Sequence, residues 1–186
     1  MTIGRLFCTA AMSAMLTISG LSAASSRSWK ATPNAMARDY ATINDTRPNG
    51  ELVMLMWFVP FMVQPNAPGA SALMTMLQKY IVVTVVHGHL DKTTGTVSFD
   101  DITALEARDQ ADKPLTLLAR NDLPPTTIAA LSAMEAVFRQ SLGAAGNGMK
   151  MFVFQAGDVG ACKKGRLSVP MADETYTWDT PIPGCP

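Results

Sequence analysis

Two histidines stand two positions apart in the stretch VVHGHLD, as His87 and His89, and the chain has no others. Imidazole nitrogens bind zinc, copper and non-haem iron, and carboxylate oxygens also bind these ions. In an extended strand alternate side chains point to the same face, so His87, His89 and Asp91 would form one row. The row continues an apolar face made by Ile81, Val83 and Val85. The spacing therefore predicts a site for copper or zinc formed by His87, His89 and Asp91.

The same stretch has a second interpretation, in which the histidines are structural. His87 would then be a partly buried, hydrogen-bonded residue, and His89 would face water near the end of its strand. A His-x-His pattern is short, Asp91 begins a turn, and a further donor from elsewhere is needed to complete a metal site. Gly88 between the histidines allows another backbone segment or a ligand to approach closely. The spacing alone does not separate the two interpretations.

Methionine is a further source of metal donors, because thioether sulfur suits Cu(I). It recurs at alternate positions three times, as Met54 and Met56, Met74 and Met76, and Met149 and Met151. Each pair lies in an apolar segment, where methionine commonly fills space in a core. The pattern therefore favours packing over a copper site.

Other catalytic patterns are absent from the sequence. No G-x-S-x-G nucleophile motif occurs, and the acidic pairs Asp100–Asp101 and Asp173–Glu174 fall in predicted turns, where carboxylates are common for backbone reasons.

Tyr176 and Trp178 share one face of the last predicted strand, where they would form an exposed ligand surface or pack across a hairpin. We therefore expect a binding or structural protein without catalytic activity, whose ligand is an unknown protein or small molecule. Metal binding at the histidines is the alternative function.

The N-terminal residues 1–24 are typical of a cleaved secretory signal, with Arg5 before a short apolar run and a small-residue segment. Its removal leaves Cys162 and Cys185, which in a periplasmic or secreted protein are expected to form a disulfide that holds the Pro-rich tail. No second apolar span follows. Lys plus Arg and Asp plus Glu number 15 each, so no net charge favours a nucleic acid partner.

Residues 25–186 are predicted to form a single domain of the α+β class, a mainly antiparallel sheet or β-sandwich with two or three helices. The firmest helix covers residues 125–142 and should pack one face on the sheet. A short helix is predicted at residues 34–43. Residues 102–118 favour a strand, a turn and a second strand, with a helix as the rival. A hairpin is predicted where the histidine strand turns at DKTTG and returns as TVSF.

Overall fold

The computed structural model describes residues 26–29, 41–44, 50–63, 65–141, 143–182 and 185. The predicted signal at residues 1–24 lies outside this part of the chain. So do residues 34–40 of the predicted short helix, whereas its last residues belong to a strand, Ala41–Asn44. The helix prediction is therefore wrong at that end.

The chain forms runs of strands separated by a few helices, and its sheets are mainly antiparallel, which confirms the predicted α+β class. The strands are β1 Ser26–Trp29, β2 Ala41–Asn44, β3 Glu51–Phe58, β4 Tyr80–Leu90, β5 Val97–Phe99, β6 Leu117–Leu118, β7 Lys150–Gln155, β8 Gly165–Met171 and β9 Glu174–Thr180. The α-helices are α1 Ala70–Lys79, α2 Pro125–Ser141 and α3 Ala144–Asn147, and short 3-10 turns occupy Pro60–Met62 and Arg120–Asp122.

The strands form two sheets. The larger one has six strands in the order β2-β3-β4-β7-β6, with β5 also paired to β4, and the smaller one has the order β1-β9-β8. Strand β1 runs parallel to β9, and the other strand pairs are antiparallel. The prediction of a mainly antiparallel sheet is therefore confirmed.

Alternate side chains of β4 point to opposite faces of the sheet and enter two different apolar layers. Ile81, Val83 and Val85 lie in a core shared with the three-stranded sheet, which contributes Leu167 and Val169. The residues on the other face pack with the helices, in a second cluster that contains Tyr80, Val82, Val153, Met76, Leu77, Leu131 and Met134. The six-stranded sheet is thus covered by the small sheet on one face and by α1 and α2 on the other. Full burial of a branched side chain such as that of Val83 or Val85 stabilises the fold by about 1.5–3 kcal/mol.

Helix α2 matches the helix predicted at residues 125–142. Its first residue is Pro125, which suits the first helical turn because the nitrogen there has no partner within the helix. Leu131 and Met134 are buried against the sheet, whereas Val137 is 60% exposed. The helix therefore packs on the sheet by one face, as predicted.

Residues 102–118 do not form the predicted pair of strands. Regular structure there is limited to β6 and to isolated bridges from Arg108 to Pro114 and to Ser168. The carboxylate of Asp109 accepts hydrogen bonds from the backbone N–H groups of Ala111 (2.8 Å) and Lys113 (2.9 Å). These bonds close a turn at the predicted bend, and the pairing beside it is limited to the bridge between Arg108 and Pro114.

The C-terminal segment is held by the predicted disulfide between Cys162 and Cys185. Ile182, between the tail and the body, is only 2% exposed, and its N–H donates to the carbonyl of Ala161 at 2.7 Å. Cross-linking a chain across this separation of 23 residues stabilises it by roughly 3 kcal/mol on the chain-entropy account. The disulfide therefore keeps an apolar residue of the tail in the core between the sheets.

A candidate metal centre at the end of strand β4

Strand β4 exchanges one neighbour for another near its C-terminal end. Its residues Tyr80–Val85 pair with β7, whereas Gly88–Leu90 pair with β5 in the predicted hairpin. A side chain at Gly88 would collide with the carbonyl of Ser98 and with Phe99. Glycine at this position therefore allows β5 to close against β4 between the two histidines.

Asp100 follows β5 directly and is fixed beside His87 by the backbone. Its N–H donates to the carbonyl of His87 at 2.9 Å. Strand β3 lies on the other side of β4, with Val53 paired to His87 and Glu51 paired to His89. Three strands thus bring two carboxylates to the two imidazoles from opposite sides.

His87 lies between two carboxylates. Its Nε2 atom is 2.7 Å from Oε1 of Glu51, and its Nδ1 atom is 2.6 Å from Oδ2 of Asp100. The Nε2 atom of His89 lies 3.3 Å from the same oxygen of Asp100. His87, His89 and Asp100 each offer a ligand atom, and these atoms all lie within 4.8 Å of one another.

Burial decreases along this group from the sheet towards the solvent. The side chains of Glu51 and His87 are 10% and 16% exposed, whereas those of His89 and Asp100 are 39% and 41% exposed. Glu51 therefore lies at the buried end of the group. The end with His89 and Asp100 is accessible to an ion from solution.

If both carboxylates are ionised, the contacts of His87 place a proton or a metal ion between its ring and Asp100. A neutral imidazole has one N–H donor, so donation from Nε2 to ionised Glu51 leaves a lone pair on Nδ1 that faces an ionised carboxylate. Either a second proton or a metal ion must lie between these two acceptors. The same geometry thus suits an imidazolium ion pair and a metal site in which Glu51 orients the ligand ring.

One of the donor separations matches that of a metal site. Ligand atoms at 2.0–2.2 Å from a tetrahedral ion lie about 3.3–3.6 Å apart. The separation of 3.3 Å between His89 and Asp100 matches this value. The separation of 2.6 Å between His87 and Asp100 is a hydrogen-bond distance, and it must widen by about 0.7 Å when an ion replaces the proton.

His89 is held less firmly than His87. In the part of the chain that the structure describes, its Nδ1 atom is buried and has no hydrogen-bond partner. Its Nε2 atom faces the carboxylate of Asp100 at 3.3 Å, whereas no acceptor holds a proton on Nδ1. His89 can therefore present either nitrogen to an ion after a rotation of the ring.

Asp91, the predicted carboxylate ligand, is used differently. Its carboxylate accepts hydrogen bonds from the backbone N–H groups of Thr93 (2.8 Å) and Thr94 (3.2 Å), which close the hairpin turn. These bonds, that from Thr93 foremost, lower the pKa of Asp91 below its ordinary value. Asp100, and not Asp91, belongs to the group around the imidazoles.

The predicted aromatic surface is wrong. Tyr176 and Trp178 are 6% and 3% exposed, and the edge of one indole faces the other in a T-shaped contact of 6.3 Å between Trp178 and Trp57. They pack beside Leu167 and Val169 because the six-stranded sheet covers this face of the hairpin. Neither ring is available to an external ligand.

The methionine pairs lie in apolar surroundings, as their pattern favours. Met54, Met56 and Met149 line a space of only about 10 Å³ on the helix side of the sheet, which is the size of a single water site. Met76 is 4% exposed within the cluster under α1 and α2.

Comparisons of the chain with protein-family models, with curated proteins and with solved structures found no match. Among the residues that the structure describes, no helix is long and apolar enough to cross a membrane. The chemistry of the side chains at the end of β4 is therefore the basis for a proposal on function.

Proposed function

We propose that this protein binds a divalent transition metal ion, zinc or copper, through Nδ1 of His87, a ring nitrogen of His89 and Oδ2 of Asp100. The observation that carries the proposal is the position of His87, with one nitrogen 2.7 Å from Glu51 and the other 2.6 Å from Asp100. In the metal-bound state Glu51 accepts the Nε2–H of His87, which orients the ring and raises its basicity.

A divalent ion would balance the charge of the two carboxylates. Ionised Glu51 and Asp100 together carry about −2, and one divalent ion with neutral imidazoles makes the group neutral, as two protonated imidazoles also would. Because Glu51 is buried, an uncompensated charge beside it is costly. Two nitrogens and one oxygen form a donor set of intermediate softness, which suits zinc and Cu(II) better than magnesium or calcium.

We also propose that the protein acts outside the cytosol, in the periplasm or after secretion. The disulfide between Cys162 and Cys185 supports this compartment, since such bonds persist in oxidising surroundings. The signal-like residues 1–24 support it independently.

Calorimetric titration of the metal-free mature protein with zinc sulfate and, separately, with copper sulfate tests the metal site. We expect one ion per chain. His89→Ala is the most informative ligand variant, because the half-exposed side chain of His89 can be removed without opening the core. Asp100→Asn and its neighbour Asp101→Asn form a matched pair, since Asp101 contacts only Lys150 at 2.7 Å among its ion pairs.

The ligand variants should lose more affinity than the about 10–100-fold that loss of an outer partner costs. Asp101→Asn should bind as the unchanged protein does. Circular dichroism of each variant establishes that it is folded before its affinity is compared. The proposal is wrong if the folded protein binds neither ion, or if His89→Ala and Asp100→Asn bind as tightly as Asp101→Asn.

A further inference from the structure

The candidate metal centre lies beside a polar cavity at the tip of the β4–β5 hairpin. The cavity has a volume of about 510 Å³, and His89 forms part of its wall. His89 pairs with Ser98, which also lines the cavity. Because paired residues of antiparallel strands place their side chains on one face, the cavity lies on the same side of the hairpin as His87 and Asp100.

The described residues supply three ligands to an ion at this centre. Structural zinc sites are closed by four protein ligands, whereas sites with three keep a position for water or an exogenous ligand. Glu51 cannot complete the set while His87 is a ligand, because it contacts the opposite nitrogen of that ring. The exposure of His89 and Asp100, 39% and 41%, places the remaining position on the accessible side of the group.

The walls of the cavity indicate which kind of molecule would take that position. Lys92 lines the cavity with a basic side chain, and Thr93, Thr96 and Ser98 line it with hydroxyl-bearing side chains, of which that of Ser98 lies 3.5 Å from the carbonyl of His89. The carboxylate of Asp91 also lines the cavity, but it is engaged by the N–H groups of Thr93 and Thr94. Ammonium and hydroxyl donors are suited to an oxyanion. The metal ion itself would supply a positive centre at its open coordination position, where an anion can bind.

We infer that the bound metal ion takes a small oxyanion-bearing molecule, a carboxylate or a phosphate, as an exogenous ligand from this cavity. This inference rests on the proposed metal site. The protein would then recognise a metal–oxyanion pair, with His87, His89 and Asp100 holding the ion and the hairpin tip contacting the anion. The volume of the cavity is within the range of about 300–1,000 Å³ typical of small-molecule sites.

Substitution of Co²⁺ for the native ion provides the test, because its visible absorption changes with the number and type of its ligands. The Co²⁺-loaded protein is titrated with sodium acetate and, in a separate arm, with inorganic phosphate. We expect a saturable spectral change with at least one of them, and the arm that saturates at the lower concentration identifies the chemistry. Sodium perchlorate, which coordinates weakly, controls for ionic strength.

Lys92→Gln and the exposed control Lys113→Gln separate cavity recognition from simple access of an anion to the ion. Loss of one nearby positive charge should raise the dissociation constant of the anion about threefold to tenfold in Lys92→Gln, with no change in Lys113→Gln. A protein that gives no Co²⁺ spectrum contradicts the metal site itself. A normal Co²⁺ spectrum that neither acetate nor phosphate alters overturns only the present inference, as does equal anion affinity in the two lysine variants.

Discussion

Replacement of Glu51 by glutamine tests whether the carboxylate orients His87 for metal binding. Glutamine keeps the size of the side chain and can still accept the Nε2–H of His87 through its oxygen, but it removes the negative charge. Loss of such an outer partner typically weakens metal binding about 10–100-fold. Because Glu51 is the more buried carboxylate of the pair, at 10% exposure against 41% for Asp100, solvent should compensate little of this loss.

The expected effect on metal-dependent stability can be worked out for one chosen concentration. At a zinc concentration 100 times the dissociation constant, binding stabilises the unaltered protein by about 2.7 kcal/mol. The same concentration stabilises Glu51→Gln by only about 0.4–1.4 kcal/mol if its affinity is 10–100-fold weaker. For a chain of this size the rise in Tm on adding zinc should fall from about 5–11 °C to about 1–6 °C.

Differential scanning calorimetry with and without zinc measures both rises, each relative to the metal-free form of the same variant. This reference removes any change in stability that Glu51→Gln causes by itself. Glu135→Gln is the control, because Glu135 also forms an ion pair, with Arg120 at 2.8 Å, but belongs to helix α2. An equal zinc-dependent rise in the unaltered protein and Glu51→Gln would falsify the orienting role of Glu51.

Three further substitutions test the surroundings of the site. Gly88→Ala should destabilise the protein by about 1–3 kcal/mol through overpacking against Ser98, and it should weaken zinc binding. Unchanged unfolding and titration curves would show that β5 shifts to accept the methyl group without moving Asp100. Asp91→Ala should leave zinc affinity unchanged, since its carboxylate bonds only the turn, and a calorimetric loss comparable with that of Asp100→Asn would contradict this assignment. Joint replacement of Cys162 and Cys185 by alanine should lower the free energy of unfolding by roughly 3 kcal/mol in denaturant titrations, and an equally stable variant would mean that the tail needs no cross-link.

Local periodicity predicted the elements that carry the site. The β-branched run before His87 predicted strand β4. The DKTTG turn predicted that the chain reverses and pairs with β4 as β5. Both follow from patterns contained within a few residues, which is why they could be predicted. In residues 102–118 the predicted bend is present as a turn closed by the carboxylate of Asp109, but the predicted strands beside it are reduced to isolated bridges and to β6.

The carboxylates of the candidate site depend on pairings between segments. The register of the hairpin would have predicted the position of Asp100. The pairs Gly88–Phe99 and His89–Ser98 place the residue after β5, which is Asp100, opposite His87. Glu51 depends on the register of β3 against β4, which joins residues 36 positions apart in the contact with His87. Nothing in the local sequence fixes that register, so the buried partner of His87 could not be predicted.

The length of β4 explains why polar residues can continue an apolar face. Val83 and Val85 are fully buried under the three-stranded sheet, whereas His87 and His89 on the same row have side chains 16% and 39% exposed. The row therefore leaves the core gradually, and each imidazole keeps one part against the protein and another towards solvent. A metal ligand needs this combination, because the buried side fixes the ring and the exposed side admits the ion. The carboxylates of Glu51 and Asp100 on opposite sides of His87 suit both an ion pair with a protonated ring and a metal ligand, and titration with zinc distinguishes the two.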